Sequence, residues 1–201
     1  MAENAEKRNV RDLLILEGIR ELNEYGYQDF SVRRIAATCQ VSCAAPYKHF
    51  KDKHSFVAAI VEYINDQWRQ RQEALLARFP GSTRRQLVEI SVDYVRFLVE
   101  NPYFRSTIML RDDDFDKEFV RPKGRLSPLA DELVAKFCSE AAMPDDVRHF
   151  KLYIVRSLIY GAALMFDNGE MSYTEENLRL VGEAIDREFT LPRGEWEPGR
   201  K

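Results

Sequence analysis

Cysteine is scarce: Cys39, Cys43 and Cys138 are the three in 201 residues, and no two stand in C-x-x-C spacing. That count excludes a disulfide framework and a paired-cysteine zinc site, and the three read as ordinary thiols of a reducing compartment. Histidine is as rare, with three residues, so no histidine cluster exists. Neither a phosphate-cradling G-x-x-x-x-G-K-[ST] loop nor a G-x-S-x-G nucleophile turn occurs. A carboxylate metal centre in a helical bundle wants two acid-x-x-His pairs on facing helices, and Asp146 with His149 is the sole approximation to one. No catalytic set, metal or cofactor is therefore assigned. Long hydrophobic runs are missing too: no window approaches 18 uncharged apolar residues, and "MAENAEKRNVRD" at the N-terminus has no apolar stretch. Neither a membrane span nor a secretion signal is expected, and a cytoplasmic location is.

What remains is a chain that is 45% hydrophobic, enough for a substantial core. Its apolar residues recur at three and four, and strand-like alternation is absent, so the expected fold is all-α. Leu13, Leu14, Ile15, Ile19, Leu22 and Tyr25 make a first amphipathic helix that Gly26 ends. Ser31 caps a short second helix. Gln40 and Val41 form a turn, and Ser42 caps a third helix containing Pro46 and Tyr47, the proline tolerable because it falls in the first turn. A fourth helix begins near Asp52 to Ser55 and runs toward Phe79, where Pro80-Gly81-Ser82 breaks the pattern.

Beyond that break, Leu87, Ile90, Ser91, Tyr94 and Leu98 lie on one face of a helix stopped by Asn101-Pro102. "PYFRSTIMLRD" reads as a shorter helix and "DDDFDKEF" as a long loop. Ser127-Pro128 opens the next helix with a cap and a proline at its first position. Pro144 with Asp145 and Asp146 opens another, its acids complementing the helix dipole. From Ile154 to Phe166 that helix is apolar all round except at Arg156 and Ser157, which predicts burial over most of its circumference. Ser172 and Glu175 fit a capping box for a last helix striped by Leu178, Val181, Ile185 and Phe189. The expected division is a domain over residues 1–54 and a larger helical one over 55–201.

The overall charge of −3 hides a local reversal. Between Ser31 and Lys53 the basic residues are Arg33, Arg34, Lys48, Lys51 and Lys53, against Asp52 alone. A compact basic patch on an acidic protein suits one small surface that meets phosphates, although a solvated helix face has the same charge. Two short helices joined by a tight turn, the second rich in small and basic residues, describe a helix-turn-helix whose second helix enters a DNA major groove. On these residues "DFSVRRIAATCQVSCAAPYKHFKDKHSFVAAIVE" resembles the DNA-binding signature of TetR-type transcriptional regulators. Ile35, Ala36, Val41, Ser42, Tyr47, His49, Phe50 and Lys53 fall in its pattern, over about the first third of the chain.

The resemblance implies double-stranded operator DNA as partner, with Arg33 reaching a base edge and Ser31, Tyr47, His49 and Lys53 near phosphates. Lys48 serves bases or phosphates, and Arg34, Ser42, Cys43, Ala44 and Ala45 complete the DNA-facing set. Gln40 stands where the family often has glycine, so a left-handed backbone there would store strain. Cys43, Ala44 and Ala45 offer few hydrogen bonds, which points to apolar contact with thymine methyls. Cys39 and Cys43 flank the turn, and small hydrophobic packing is a simpler role for them than a redox switch.

The resemblance further implies a homodimer built by the last two helices, with Gly161, Ala162 and Ala163 permitting close approach, and a small-molecule effector held among the middle helices. Tyr94, Phe97, Phe104, Met109, Tyr153 and Tyr160 are the candidate lining. Arg156 either receives an anionic group of the ligand or, the slightly favoured reading, pairs across the dimer with Glu175, Glu176 or Glu183. The expected function is a ligand-released repressor. A helical-bundle enzyme and a helical adaptor without sequence-specific DNA binding are the alternatives.

Overall fold

A computed structural model of the chain describes residues 2–102 and 127–190, with side chains from residue 10 onward. Among the described residues there are seven α-helices, one 3-10 turn and no strand. The helices are α1 (Ala2–Tyr25), α2 (Val32–Thr38), α3 (Lys53–Arg78), α4 (Thr83–Glu100), α5 (Pro128–Glu140), α6 (Asp145–Asp167) and α7 (Glu175–Glu188), and the 3-10 turn is Pro46–Lys48. Described residues up to 69 belong to one compact unit, and residues 70–100 with 127–190 to a second. The short helix read into "PYFRSTIMLRD", the acidic loop and the tail after Pro192 lie outside the described residues, as do Phe104 and Met109.

In the first unit, Leu14, Ile15, Ile19 and Leu22 form the buried stripe of α1. At 100° per residue Leu13 falls opposite that stripe and Leu16 beyond its edge, which is why both stay exposed despite the apolar run. The core is aromatic at its centre. Phe56 is wholly buried, stacks on Phe50 at 4.0 Å between ring centroids, and takes Phe30 edge-on at 5.4 Å. Such ring pairs add about 0.5–1.5 kcal/mol each beyond the area they bury. Gly18 lets α1 approach α3: a Cβ there would lie 2.7 Å from Ile60 Cδ1.

In the second unit, α4 packs against α5, α6 and α7, and α6 packs on α7. Val95, Leu98, Ile159, Ala163, Leu178 and Ile185 are central to its core. Side-chain bonds tie the helices together. Arg84 grips Asp186 through Nε at 2.8 Å and its terminal nitrogen at 2.6 Å. Arg71 grips Asp93 at 2.7 and 2.9 Å and also reaches Glu100 at 3.1 Å. Lys151, 5% exposed, donates to the Glu188 carbonyl at the open C-terminal end of α7.

Two local expectations change. Ser172 does not cap the last helix; Thr174 does, accepting from the Asn177 N–H at 3.2 Å, while the Ser172 carbonyl takes the Asn177 amide at 2.7 Å. The box fails because Asn177, not Glu175, stands three residues after the residue whose backbone is extended. Nor is α6 buried over most of its surface. Val155, Ile159, Ala162, Ala163 and Phe166 are covered, but Tyr153 is 70% exposed, Leu164 53% and Met165 40%. One face packs on α4 and α7, and the other carries apolar residues that stay exposed among the described residues.

Candidate nucleic-acid interface

The N-terminus of α2 is built from three directions. Ser31 has extended backbone, and its Oγ accepts from the Arg34 N–H at 3.3 Å. The Ser31 N–H donates to Glu21 Oε1 at 2.9 Å, a carboxylate only 6% exposed. Arg34 donates through Nε to the same oxygen at 2.8 Å and through a terminal nitrogen to the Asp29 carbonyl at 2.5 Å. Its guanidinium lies 4.1 Å over the Tyr25 ring. The hydrogen bond to Glu21 raises the arginine's pKa above its ordinary value. Arg33, next to it, is exposed and makes no hydrogen bond or ion pair within the described residues.

The turn after α2 stops the helix by a Schellman arrangement. Gln40 N–H donates to Ala37 O at 3.1 Å and Val41 N–H to Ala36 O at 3.0 Å. That closure requires a left-handed residue, and Gln40 has φ of 56°. Its strained backbone is as the sequence reading anticipated. The segment beyond differs from it: Ser42 does not cap an α-helix. Turns follow from Ser42 O to Ala45 N–H at 2.8 Å and Ala45 O to Lys48 N–H at 3.1 Å, and Pro46–Lys48 is a 3-10 turn preceded by Ala45. Pro46 has no N–H to donate and Phe50 enters the core, so the stretch tightens instead of extending.

Of the DNA-facing set, Arg33, Ser42, Cys43, Ala44, Tyr47 and Lys48 are exposed, Tyr47 at 59%. Ala45 and His49 are half-buried. Lys53 donates to the Gln28 carbonyl at 2.9 Å and sits 4.5 Å over the Tyr27 ring, so its charge lies at the loop after α1. Asp52 and Ser55 cap α3 reciprocally: Asp52 Oδ1 accepts from the Ser55 N–H at 2.8 Å and Ser55 Oγ from the Asp52 N–H at 3.0 Å. The Ser55 backbone N–H, with its side chain, holds the Asp52 carboxyl below its usual range. Cys39 is half-buried with Sγ 3.7 Å from Leu13 O, and burial pushes its thiol up, away from a reactive thiolate.

A capped short helix, a left-handed turn and an exposed small-residue segment seated on an aromatic core make a helix-turn-helix. Residues 14–60 match the family model described as bacterial regulatory proteins, tetR family. This segment is similar to the DNA-binding domain of that family. No curated protein matches the chain in sequence. Solved structures share the whole fold. A TetR family transcription regulator from Marinobacter aquaeolei VT8 is 20% identical, with a TM-score of 0.62 over 94% of this chain and 98% of that one. The regulator FadR from Bacillus subtilis in complex with stearoyl-CoA is 11% identical, with a TM-score of 0.60 over 88% and 96%. A TetR from Acinetobacter baumannii AYE in complex with minocycline is 18% identical, with a TM-score of 0.51 over 88% and 92%.

Beyond this segment, the candidate effector residues separate into two groups. Tyr94 lies 6.3 Å from Phe97 and 6.4 Å from Tyr160, and Arg156 stands 5.9 Å over the Tyr160 ring. Burial, with Tyr160 beside it, drives the Tyr94 phenol well above its ordinary range. Tyr153 stands apart on the bare side of α6. Two of the acids considered for Arg156 are engaged elsewhere. Glu175 pairs with both terminal nitrogens of Arg96, which lowers the acid's pKa, and Glu183 lies 3.9 Å from Arg179. Among the described residues no three His, Cys, Asp or Glu side chains are placed to hold a metal, and no helix is long and apolar enough to cross a membrane.

Sequence reasoning missed Glu21, the partner of Arg34. The signal for Glu21 was an acid on the apolar side of α1 between Ile19 and Leu22, a position where a charge needs a partner. It also missed Lys151, a cation in the first half of α6 whose partner is a backbone carbonyl and so leaves no mark in the sequence.

Proposed function

We propose that the protein is a homodimeric transcriptional repressor that leaves its operator when a small molecule binds. The observation that carries this reading is the exposed segment of Arg33, Cys43, Ala44, Tyr47 and Lys48 in a TetR-family helix-turn-helix, seated on the Phe50–Phe56 stack. Arg33 is free to form a bidentate pair with a guanine edge, worth about 1–3 kcal/mol of discrimination. Cys43 and Ala44 present small apolar surface suited to thymine methyls. Operators of such proteins are two-fold, so the reading needs a dimer, and the bare apolar face of α6 with Leu180 of α7 supports one.

The effector reading rests on the Tyr94, Phe97, Tyr160 and Arg156 group, an aromatic cluster beside a guanidinium that no described carboxylate pairs with. Its complement is an apolar molecule with an acceptor or anionic group. Binding would favour one of two conformations of the dimer and so depopulate the operator-bound form. The solved FadR and minocycline-bound TetR complexes support effector binding by this fold.

The test is binding of the purified protein to the DNA upstream of its own coding region, against a mixed-sequence duplex competitor, for wild type and for Arg33→Ala with Tyr47→Ala. Retardation that survives the competitor in wild type and is lost in the variant is the expected result. Equal binding to both DNAs, in this region and in duplexes selected from a randomised library, would sink the reading in favour of the adaptor.

A further inference from the structure

The residues that start α2 form a capping box in which the acid comes from another helix. In the ordinary box the residue three beyond the cap is Glu or Gln and reaches back to the cap's own N–H. Here that position is Arg34, and the carboxylate that accepts the Ser31 N–H at 2.9 Å is Glu21 of α1. Arg34 donates to the same oxygen at 2.8 Å, and its remaining reach ends on the Asp29 carbonyl and the Tyr25 ring face. A carboxylate 6% exposed would be costly alone, and the guanidinium neutralises it.

We propose that Glu21 and Arg34 are positioning residues of the DNA-reading unit: they hold the start of α2 against α1 and so aim Arg33, while Arg34 contacts no phosphate. The inference rests on the DNA-binding reading above and divides two adjacent arginines that charge alone cannot tell apart. A guanidinium already neutralised within the fold adds no counterion release on DNA, whereas an exposed, unpaired one does. Loss of the latch lets the first turn of α2 fray, which blurs base readout and leaves the phosphate contacts elsewhere intact.

The experiment measures affinity across a salt series for a mixed-sequence duplex and for a duplex selected by the wild type from a randomised library. Arg33→Ala is expected to flatten the slope of log affinity against log salt by about 0.9, the value of one phosphate contact or its equivalent in released charge. Arg34→Ala combined with Glu21→Gln, which leaves no carboxylate unpaired beside the DNA, is expected to leave that slope unchanged and to lower discrimination between the two duplexes about tenfold, the scale of one base contact. Arg34→Lys keeps the charge but cannot fork, so it should lose discrimination as the alanine variant does. Folded protein is verified by its unfolding transition, and Arg34→Lys is the variant that decides if the double variant fails to fold. A slope lowered by about 0.9 in the double variant, or wild-type discrimination in Arg34→Lys, would overturn the latch. A wild type that binds neither duplex would instead overturn the DNA-binding reading beneath it.

Discussion

Replacing Gln40 by glycine should stabilise the protein, and the size of the effect follows from the turn. Gln40 closes the Schellman arrangement at φ of 56°, a conformation that costs an L-residue about 1–2 kcal/mol. The side chain is exposed, so removing it forfeits no core packing. Both hydrogen bonds of the turn, from Gln40 and Val41, use backbone N–H groups that glycine keeps. Against the relief stands the greater freedom of glycine in the unfolded chain, about 0.4–1 kcal/mol. The net expectation is a gain of about 0.5–1 kcal/mol, or about 1–4 °C in Tm for a chain of this size. Urea unfolding followed by circular dichroism measures it, with an unchanged m-value showing that the surface exposed on unfolding has not altered. Gln40→Ala retains a Cβ and should stay within about 0.5 kcal/mol of wild type. Gly and Ala variants of equal stability would refute the claim that strain resides at this residue.

Four further outcomes are expected. Gly18→Ala places a Cβ against Ile60 and Phe56, so about 1 kcal/mol of helix propensity is outweighed by an overpacking cost of about 1–3 kcal/mol. Combined with Ile60→Val, which removes the Cδ1 it strikes, its penalty should shrink by about 1 kcal/mol in a double-mutant cycle, and simple additivity would show that the clash is not with Ile60. Thr174→Ala should cost about 1 kcal/mol by uncapping α7, and Ser172→Ala less than about 0.5, a ranking that chemical denaturation reads directly. The Asp52 carboxyl is held below its usual range, so its contribution is present above the ordinary carboxylate pKa and is lost as pH falls through the lowered folded value. Stability curves of wild type and Asp52→Asn should accordingly differ near neutrality and converge in acid; parallel curves would count against the Ser55 interaction. Leu164→Arg with Leu180→Arg, two exposed positions on α6 and α7, should weaken a dimer at least ~10-fold in sedimentation, about 1.4 kcal/mol, without loss of helicity.

Much of the local structure was legible. Gly26 at φ of 72°, Ser31 and Ser127 as caps, and the opening of α6 at Pro144 all follow from backbone chemistry that acts within a few residues. So did the helix-turn-helix, because its tight turn and core aromatics must stand at set spacings. The sequence was silent where a distant partner decides. Arg33 and Arg34 look alike in sequence, yet only Arg34 lies within reach of Glu21, thirteen residues earlier. Ser172 and Thr174 are equally good caps by type, and the path of the chain into α7 selected the second.

The sequence by itself determined the helical class, most of the helix ends and the helix-turn-helix segment, since periodicity, capping and turn chemistry are short-range and written in consecutive residues. Only the tertiary structure decided which charges are spent inside the fold, on Glu21, Asp93 and Asp186, and which remain on the surface. It alone showed that part of an apolar helix stays exposed among the described residues, because burial depends on which neighbours arrive and not on how apolar the residues are.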